Sequence, residues 1–354
     1  MNGCERILAA LRGEPVDRVP VMLHNFLMAA READVSMAEF RRSGKAIARS
    51  FIRAVETYGY DGVLVDVDTV MLAGAVGVPV DFPEDMPARS HEPLLTRLAD
   101  VPKLKPVRVE DYFEIRAAVE AVAILKAHFK GDIAVRGNCD QSPFSLAGLI
   151  RGLAGWMTDL VEGPRELVLG LLDYATEVTK QFLQLMADAG ADILSNGDSP
   201  AGPDMISPRM YRTFAQPFEK KIVEESHRLG RPYILHICGK TDLILDDMVA
   251  TGADGLELDY KTDMRLARER LEGKTTFIGN IDPSGVLALG TPALVEKRTR
   301  ELLEVFTGTS RFILNAGCAI PAETPSENLK AMIRAPGLIL PGLRPPLRPV
   351  LTRN

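Results

Sequence analysis

The segment Leu235-His236-Ile237-Cys238-Gly239 carries an imidazole and a thiol two residues apart within a run of apolar, largely β-branched side chains. Residues i and i+2 of a strand point to the same side, so His236 and Cys238 can offer one nitrogen and one sulfur to a single ion at the strand end. That donor pair suits Zn2+. Cys318, in Ala316-Gly317-Cys318-Ala319, supplies a third donor if the glycine before it lets its loop arch inward. One histidine and two cysteines, with a fourth position open, form a known ligand set of catalytic zinc. Cys4 and Cys139 are expected to be small core side chains, the commoner fate of a lone buried thiol. His91, His128 and His227 fall in expected loops or helices and are read as surface residues.

Donors this far apart in sequence need a scaffold that gathers strand ends. Short apolar runs closed by polar or glycine residues recur along the chain, each followed by a longer segment of helical periodicity, which indicates βα units and a parallel sheet. Eight such runs occur, at 18–23, 62–67, 133–137, 192–196, 233–237, 255–258, 276–279 and 311–315. Eight is the number that closes a (β/α)8 TIM barrel, an α/β fold whose chemistry collects at the C-terminal strand ends. An N-terminal helical segment precedes the first strand. Helices are expected over 36–58, 164–189 and 208–229, the last with Ser207 as N-cap and Pro208 in the first turn. Gly59, Gly190, Gly230 and Gly252 fall where left-handed caps close helices. The stretch 72–106, rich in proline and acidic residues, reads as an insertion after the second strand. The proline-rich segment 336–354 reads as an irregular tail, leaving 1–335 as one barrel domain.

The strand ends are polar throughout: His24-Asn25, Asp66 and Asp68, Asn138 to Gln141, Asn196 and Asp198, His236 and Cys238, Glu257 and Asp259, Asn280 and Asp282, Asn315 and Cys318. Any one Asp or Asn in such a place often only caps the next helix or makes a turn. Convergence of eight polar ends on one rim describes a site. His24, Asp66, Asn138, Asp198 and Asn280 are candidate substrate-binding residues, Asp198 also as a proton-transfer group, and Asp259 or Glu257 is a candidate fourth metal ligand.

Composition narrows the classes. The 354 residues are 46% hydrophobic and 25% charged, ordinary for a globular chain. A net charge of -6 without a long Lys/Arg cluster argues against nucleic acid as partner. Apolar runs fall short of the roughly 18 residues that a membrane-spanning helix needs, no secretory signal pattern opens the chain, and four scattered cysteines make no disulfide framework. A cytoplasmic protein with free thiols is expected.

At these residues the sequence resembles the uroporphyrinogen decarboxylase superfamily, and within it the corrinoid-dependent methyltransferase branch. The resemblance runs from about Glu5 to Arg334. It rests on Asp17-Arg18-Val19-Pro20-Val21, Ser142-Pro143-Phe144-Ser145-Leu146, Ala191-Asp192-Ile193 leading to Asp198, Gly279-Asn280-Ile281-Asp282-Pro283, and Gly317-Cys318 followed by Thr324 to Asn328. Several of these segments fix fold more than activity. His236, Cys238 and Cys318 match the zinc ligands of methylcobamide:coenzyme M methyltransferases and of demethylases acting on methoxylated compounds. The decarboxylase branch has an arginine-rich segment after the first strand, where this chain reads His24-Asn25-Phe26-Leu27-Met28.

The resemblance implies Zn2+ as cofactor, a corrinoid (cobalamin) supplied on a separate partner protein, and a small methylated substrate; no cobalt-ligating Asp-x-His-x-x-Gly segment is present in the chain. Zinc could polarise the ether oxygen of a methoxylated donor, or bind and deprotonate an acceptor thiol. A sulfonate-bearing thiol would want a cationic anchor, for which Arg136, Lys240 and Lys261 are the nearby candidates. Methyl transfer from a methoxylated small molecule is the expected activity, with a thiol methyltransferase and a metal-free decarboxylase as alternatives. A noncatalytic corrinoid-binding protein and a homo-oligomer are left open.

Overall fold

The computed structural model describes residues 1–335; the expected proline-rich tail at 336–354 lies outside the described residues. Eight parallel strands form one sheet in sequence order: β1 Met22–Leu23, β2 Gly62–Val65, β3 Ala134–Gln141, β4 Ile193–Gly197, β5 Tyr233–Ile237, β6 Gly255–Leu258, β7 Thr276–Ile281 and β8 Phe312–Ala316. A parallel bridge between Val21 and Leu314, with Leu314 N donating to Pro20 O at 2.9 Å, closes the ring. The expected TIM barrel is the observed fold. Among the described residues no helix is long and apolar enough to cross a membrane.

Strand periodicity decides what faces the lumen. Met22, Ala134, Ile193, Ile234, Ile278 and Ile313 form a small cluster with Cys4, Ile7, Ala10 and Leu11 of the helix Gly3–Arg12. That amphipathic helix therefore plugs the N-terminal end of the barrel. Gly62 and Gly255 complete this layer, since a Cβ on either would approach the same side chains. Two residues further along the strands, side chains return to the lumen. That next layer is His24, Leu64, Arg136, Ser195, His236, Glu257, Asn280 and Asn315. An apolar floor thus carries a polar storey on the same faces of the same strands.

Several boundaries differ from expectation for identifiable reasons. β1 begins only at Met22 because Pro20 has no N–H to give a ladder and Arg18 is turned to Asp61 (2.6 and 2.7 Å). β3 runs on to Gln141 through a register shift between Asn138 and Gln141. The expected helix 36–58 is broken into Met37–Phe40 and Gly44–Tyr58, with Ser43 capping the second piece through Ala46 N. Its Arg41 is fully buried and donates to the carbonyls of Pro83 (2.6 Å) and Met86 (2.5 Å), tying down the insertion. The expected helix 208–229 widens into a π-type turn at Tyr211–Ala215, because Pro217 can neither donate to nor pack under the preceding turn. Ser207 caps its start, and Gly59, Gly190, Gly230 and Gly252 have positive φ, as expected. The insertion holds the helix Met71–Ala75, a 3-10 turn Leu98–Lys103 and an antiparallel bridge Asp81–Arg89.

The barrel floor is fixed by charge. Asp61, buried, accepts from Arg6 (2.6 Å), from both terminal nitrogens of Arg18, and from Val21 N (2.9 Å). Removing that carboxylate leaves Arg18 without an ion partner and Arg6 with Asp17 alone (2.6 and 2.9 Å), so Asp61→Asn is expected to cost about 2 kcal/mol, read as a lower midpoint in thermal unfolding; an unchanged midpoint would show that the network adds nothing to stability.

Candidate metal centre

His236 lies in the second inward layer of β5 and Cys238 one step above it. The imidazole is oriented from behind: Nδ1 lies 3.0 Å from the Glu257 carbonyl oxygen, an acceptor, so Nδ1 carries the proton and Nε2 is left for a metal. Nε2 is 3.0 Å from the Cys238 sulfur, and that sulfur is 3.6 Å from Cys318. The three donor atoms all lie within 4.8 Å of one another. Tetrahedral zinc with its usual bond lengths asks for donor separations of about 3.5–3.8 Å. The two sulfurs already meet this, and the histidine has to withdraw from Cys238 by roughly half an ångström. The donor set therefore fits zinc.

Cys318 reaches this place because Gly317 has no side chain. A Cβ there would lie 2.4 Å from Tyr260 N, so the loop after β8 packs against the loop after β6 only with glycine. The expected inward arch is what joins β8 to β5 across the rim.

Proton affinities within the triad are uneven. Burial disfavours a charged His236, but the Cys318 thiol and the Glu257 carboxylate outweigh it and raise the pKa to about 9. The contact with Cys318 lowers the Cys238 thiol below its ordinary range against the effect of burial, whereas that contact and burial push Cys318 up to about 12. A divalent cation binds such a set by displacing protons.

Around the triad, other polar residues form two connected groups. Arg136 of β3 reaches across the lumen to Glu257 of β6 at 2.7 Å, and Asn315 of β8 donates to the other carboxylate oxygen at 2.6 Å. Burial opposes ionisation of Glu257, yet Arg136, His236 and His24 hold its pKa down at about 2. In the second group, His24 Nε2 lies 2.7 Å from Asp66, Asn138 donates to the other Asp66 oxygen at 2.9 Å, and Ser195 bonds Asn138 at 3.3 Å. His24 Nδ1 is buried without a partner. The Asp66 hydrogen bond and charge raise the His24 pKa despite burial, which by itself would lower it most. His24 also touches the Cys318 loop, its carbonyl accepting from Ile320 N at 2.8 Å.

Three expectations are corrected. Asp259 is not drawn into the triad: its carboxylate accepts from Gly239 N and Lys261 N, both at 3.0 Å, and so shapes the turns. Glu257, the other candidate fourth ligand, bonds its carboxylate to Arg136 and Asn315, and meets His236 by hydrogen bond only through its carbonyl, with a carboxylate oxygen 3.8 Å from Nδ1. Asp198 is one residue out of phase with the inward faces of β4; it is fully buried outside the lumen, bonded to Ser145 N (2.9 Å) and Ser145 Oγ (2.5 Å). Burial raises its pKa to about 6. Asn280 is inward but donates to the carbonyls of Asp259 (3.1 Å) and Thr262 (3.4 Å). Cys139 is core, as expected, with its sulfur on Gly137 O at 3.8 Å. Of the expected sulfonate anchors, Arg136 is paired with Glu257, while Lys240 and Lys261 are exposed. Ser195 was missed by sequence reading, although it sits two residues beyond the floor residue Ile193.

The uroporphyrinogen decarboxylase (URO-D) family matches the chain over residues 2–336. The chain is 30% identical over 335 residues to a methylcobamide:CoM methyltransferase of Methanosarcina acetivorans, covering 93% of this chain and 96% of that one. It is 28% identical over 343 residues to a uroporphyrinogen decarboxylase of a Synechococcus species, covering 93% and 95%. A solved methyltransferase structure from Methanosarcina mazei superposes with a TM-score of 0.87 at 25% identity, covering 95% of this chain and 98% of that chain.

Two measurements test this centre. Gly317→Ala should leave the circular dichroism spectrum native while weakening zinc at least about ten-fold, because it displaces one of three ligands; unchanged affinity would mean that the loop has room to spare. In the parent protein, zinc affinity read by chelator competition should rise with pH up to about 9, since metal binding displaces protons from the triad and His236 holds its extra proton until then.

Proposed function

The chain belongs to the uroporphyrinogen decarboxylase family, and we propose that it is a zinc-dependent methyltransferase exchanging a methyl group between a methoxylated small molecule and the cobalt of a corrinoid carried by a separate protein. The observation that carries this reading is the convergence of His236, Cys238 and Cys318 at the C-terminal rim, in a chain that spans nearly the whole of a methylcobamide:CoM methyltransferase relative. Zinc held there would act as a Lewis acid towards an oxygen or sulfur of the small molecule. The chain's own residues do the rest. His236 is fixed in one tautomer by the Glu257 carbonyl. Cys238 and Cys318 bring two sulfurs to the ion. His24, backed by Asp66 and Asn138, is a hydrogen-bonding group beside the Cys318 loop.

A second reading, methyl transfer to a thiol, is favoured by the ligand set, because two thiolates lower the effective charge of zinc and suit it to present a sulfur nucleophile. The decarboxylase reading is the least supported. The segment His24 to Met28 offers no arginine for the carboxylates of a tetrapyrrole, and the nearest one, Arg31, donates to Ala322 O at 3.0 Å.

The test is a panel of methoxylated aromatics, methylamines and thiols incubated with a reduced or methylated corrinoid protein, alongside metal analysis. About one zinc per chain is expected, and His236→Ala or Cys238→Ser should each lower both zinc content and methyl transfer by at least about 100-fold, since every ligand of a three-residue set is needed. Zinc-free protein that consumes a porphyrinogen would falsify the proposal.

A further inference from the structure

The four cysteines fall into two classes. Cys4 and Cys139 are buried, and burial raises the Cys4 thiol to about 11 and lifts Cys139 as well, so neither offers much thiolate. Cys238 and Cys318 are half-buried at the rim. Their sulfurs touch at 3.6 Å although 80 residues separate them in sequence. A disulfide asks for about 2.05 Å between sulfurs, which leaves roughly 1.5 Å for rotation of the two side chains to cover. His236 Nε2 lies 3.0 Å from the Cys238 sulfur and can accept its proton, since Nδ1 faces the Glu257 carbonyl.

Two sulfurs placed to share a divalent cation are therefore also placed to bond each other. The two outcomes exclude one another. Zinc takes both sulfurs as thiolates, whereas a disulfide leaves only His236 as a donor.

We propose that Cys238 and Cys318 form a dithiol that low-molecular-weight disulfides oxidise to an intrachain disulfide when zinc is not bound, so that the rim takes up its ion only in the reduced state. The competition with zinc rests on the metal centre assigned above, while the disulfide itself rests on the contact of the two sulfurs.

The exchange is balanced. Cys238, its proton passed to His236 Nε2, attacks one sulfur of the small disulfide; that S–S bond breaks and the other half leaves as a thiolate. Cys318 then attacks the Cys238 sulfur of the mixed disulfide, loses its proton to the departing thiolate and expels the second half. Two protein thiols and one small disulfide become one protein disulfide and two small thiols. The second step is intramolecular, with the attacking sulfur already at contact distance, so it outruns attack by another small molecule.

The test treats the full chain, zinc-free and zinc-loaded, with glutathione disulfide at neutral pH, and reads free thiols, intact mass, peptide map and zinc uptake. The zinc-free chain is expected to fall from four thiols to two, with a mass loss of about 2 Da and a peptide cross-linked through Cys238 and Cys318. Zinc uptake should be lost with the two thiols and return on reduction. The zinc-loaded chain is expected to react at least about ten-fold more slowly, its thiolates being held by the ion. Cys318→Ser should stop at one glutathione on Cys238. Four thiols retained by the zinc-free chain, two glutathiones per chain, a cross-link through Cys4 or Cys139, equal rates with and without zinc, or zinc bound by the disulfide form would each overturn the proposal. A chain that forms this disulfide but transfers no methyl group defeats only the proposed activity. One that transfers methyl groups and, zinc-free, keeps all its thiols defeats only the disulfide.

Discussion

Glu257 ties three other strands to the site. Its carboxylate receives Arg136 from β3 and Asn315 from β8, while its backbone carbonyl receives the imidazole N–H of His236 from β5. Burying a carboxylate and a guanidinium is expensive unless both are well bonded, so this arrangement holds only if those strands keep their register. The orientation of His236 Nε2, the candidate metal-binding nitrogen, is thus coupled to a contact that spans the lumen. Residues that never touch a ligand still decide whether the three donors face one point.

The polar storey can exist because the layer beneath it is apolar and sealed. Ile193, Ile234, Ile278 and Ile313 pack on the N-terminal helix, which keeps water from the floor and leaves the polar groups above to bond one another. The result is two groups rather than a scatter of side chains: Arg136 with Glu257 and Asn315, and His24 with Asp66, Asn138 and Ser195. Each binds groups from at least three strands. Such networks rigidify a site when every member is satisfied. Here His24 Nδ1, Arg136 Nε and Arg136 Nη1 are left over, which sets the lumen apart from a purely structural core.

The rim is built by close approaches. Gly317 lets the Cys318 loop lie against the Tyr260 backbone. Asp259 holds the turns after β5 and β6 through Gly239 and Lys261, and Thr241 meets Thr262 at 2.8 Å between the same two loops. On the other side, Arg41 anchors the insertion carbonyls while its own guanidinium approaches buried Glu114 at 3.8 Å. These contacts make the mouth a set of braced loops in which each ligand position depends on its neighbours.

By itself the sequence determined the eight βα units, the glycine caps and the candidate pair His236 and Cys238, because strand alternation, helix periodicity and that two-residue spacing are local properties of the chain. It also pointed to polar strand ends as the place of chemistry. The tertiary structure alone decided which of them face inward. Ser195 on β4 faces the lumen, but a period of two turns Asn196 and, just past the strand end, Asp198 the other way, Asp198 against Ser145, and only an observed register shows that phase. Asp259 has the inward phase and still turns to backbone amides, since the loops after β5 and β6 present unpaired N–H groups at that height. The meeting of Cys238 with Cys318 is likewise a three-dimensional fact: it requires a closed ring and a side-chain-free residue at 317, and the ring closes only when β1 and β8 find each other across almost the whole length of the chain.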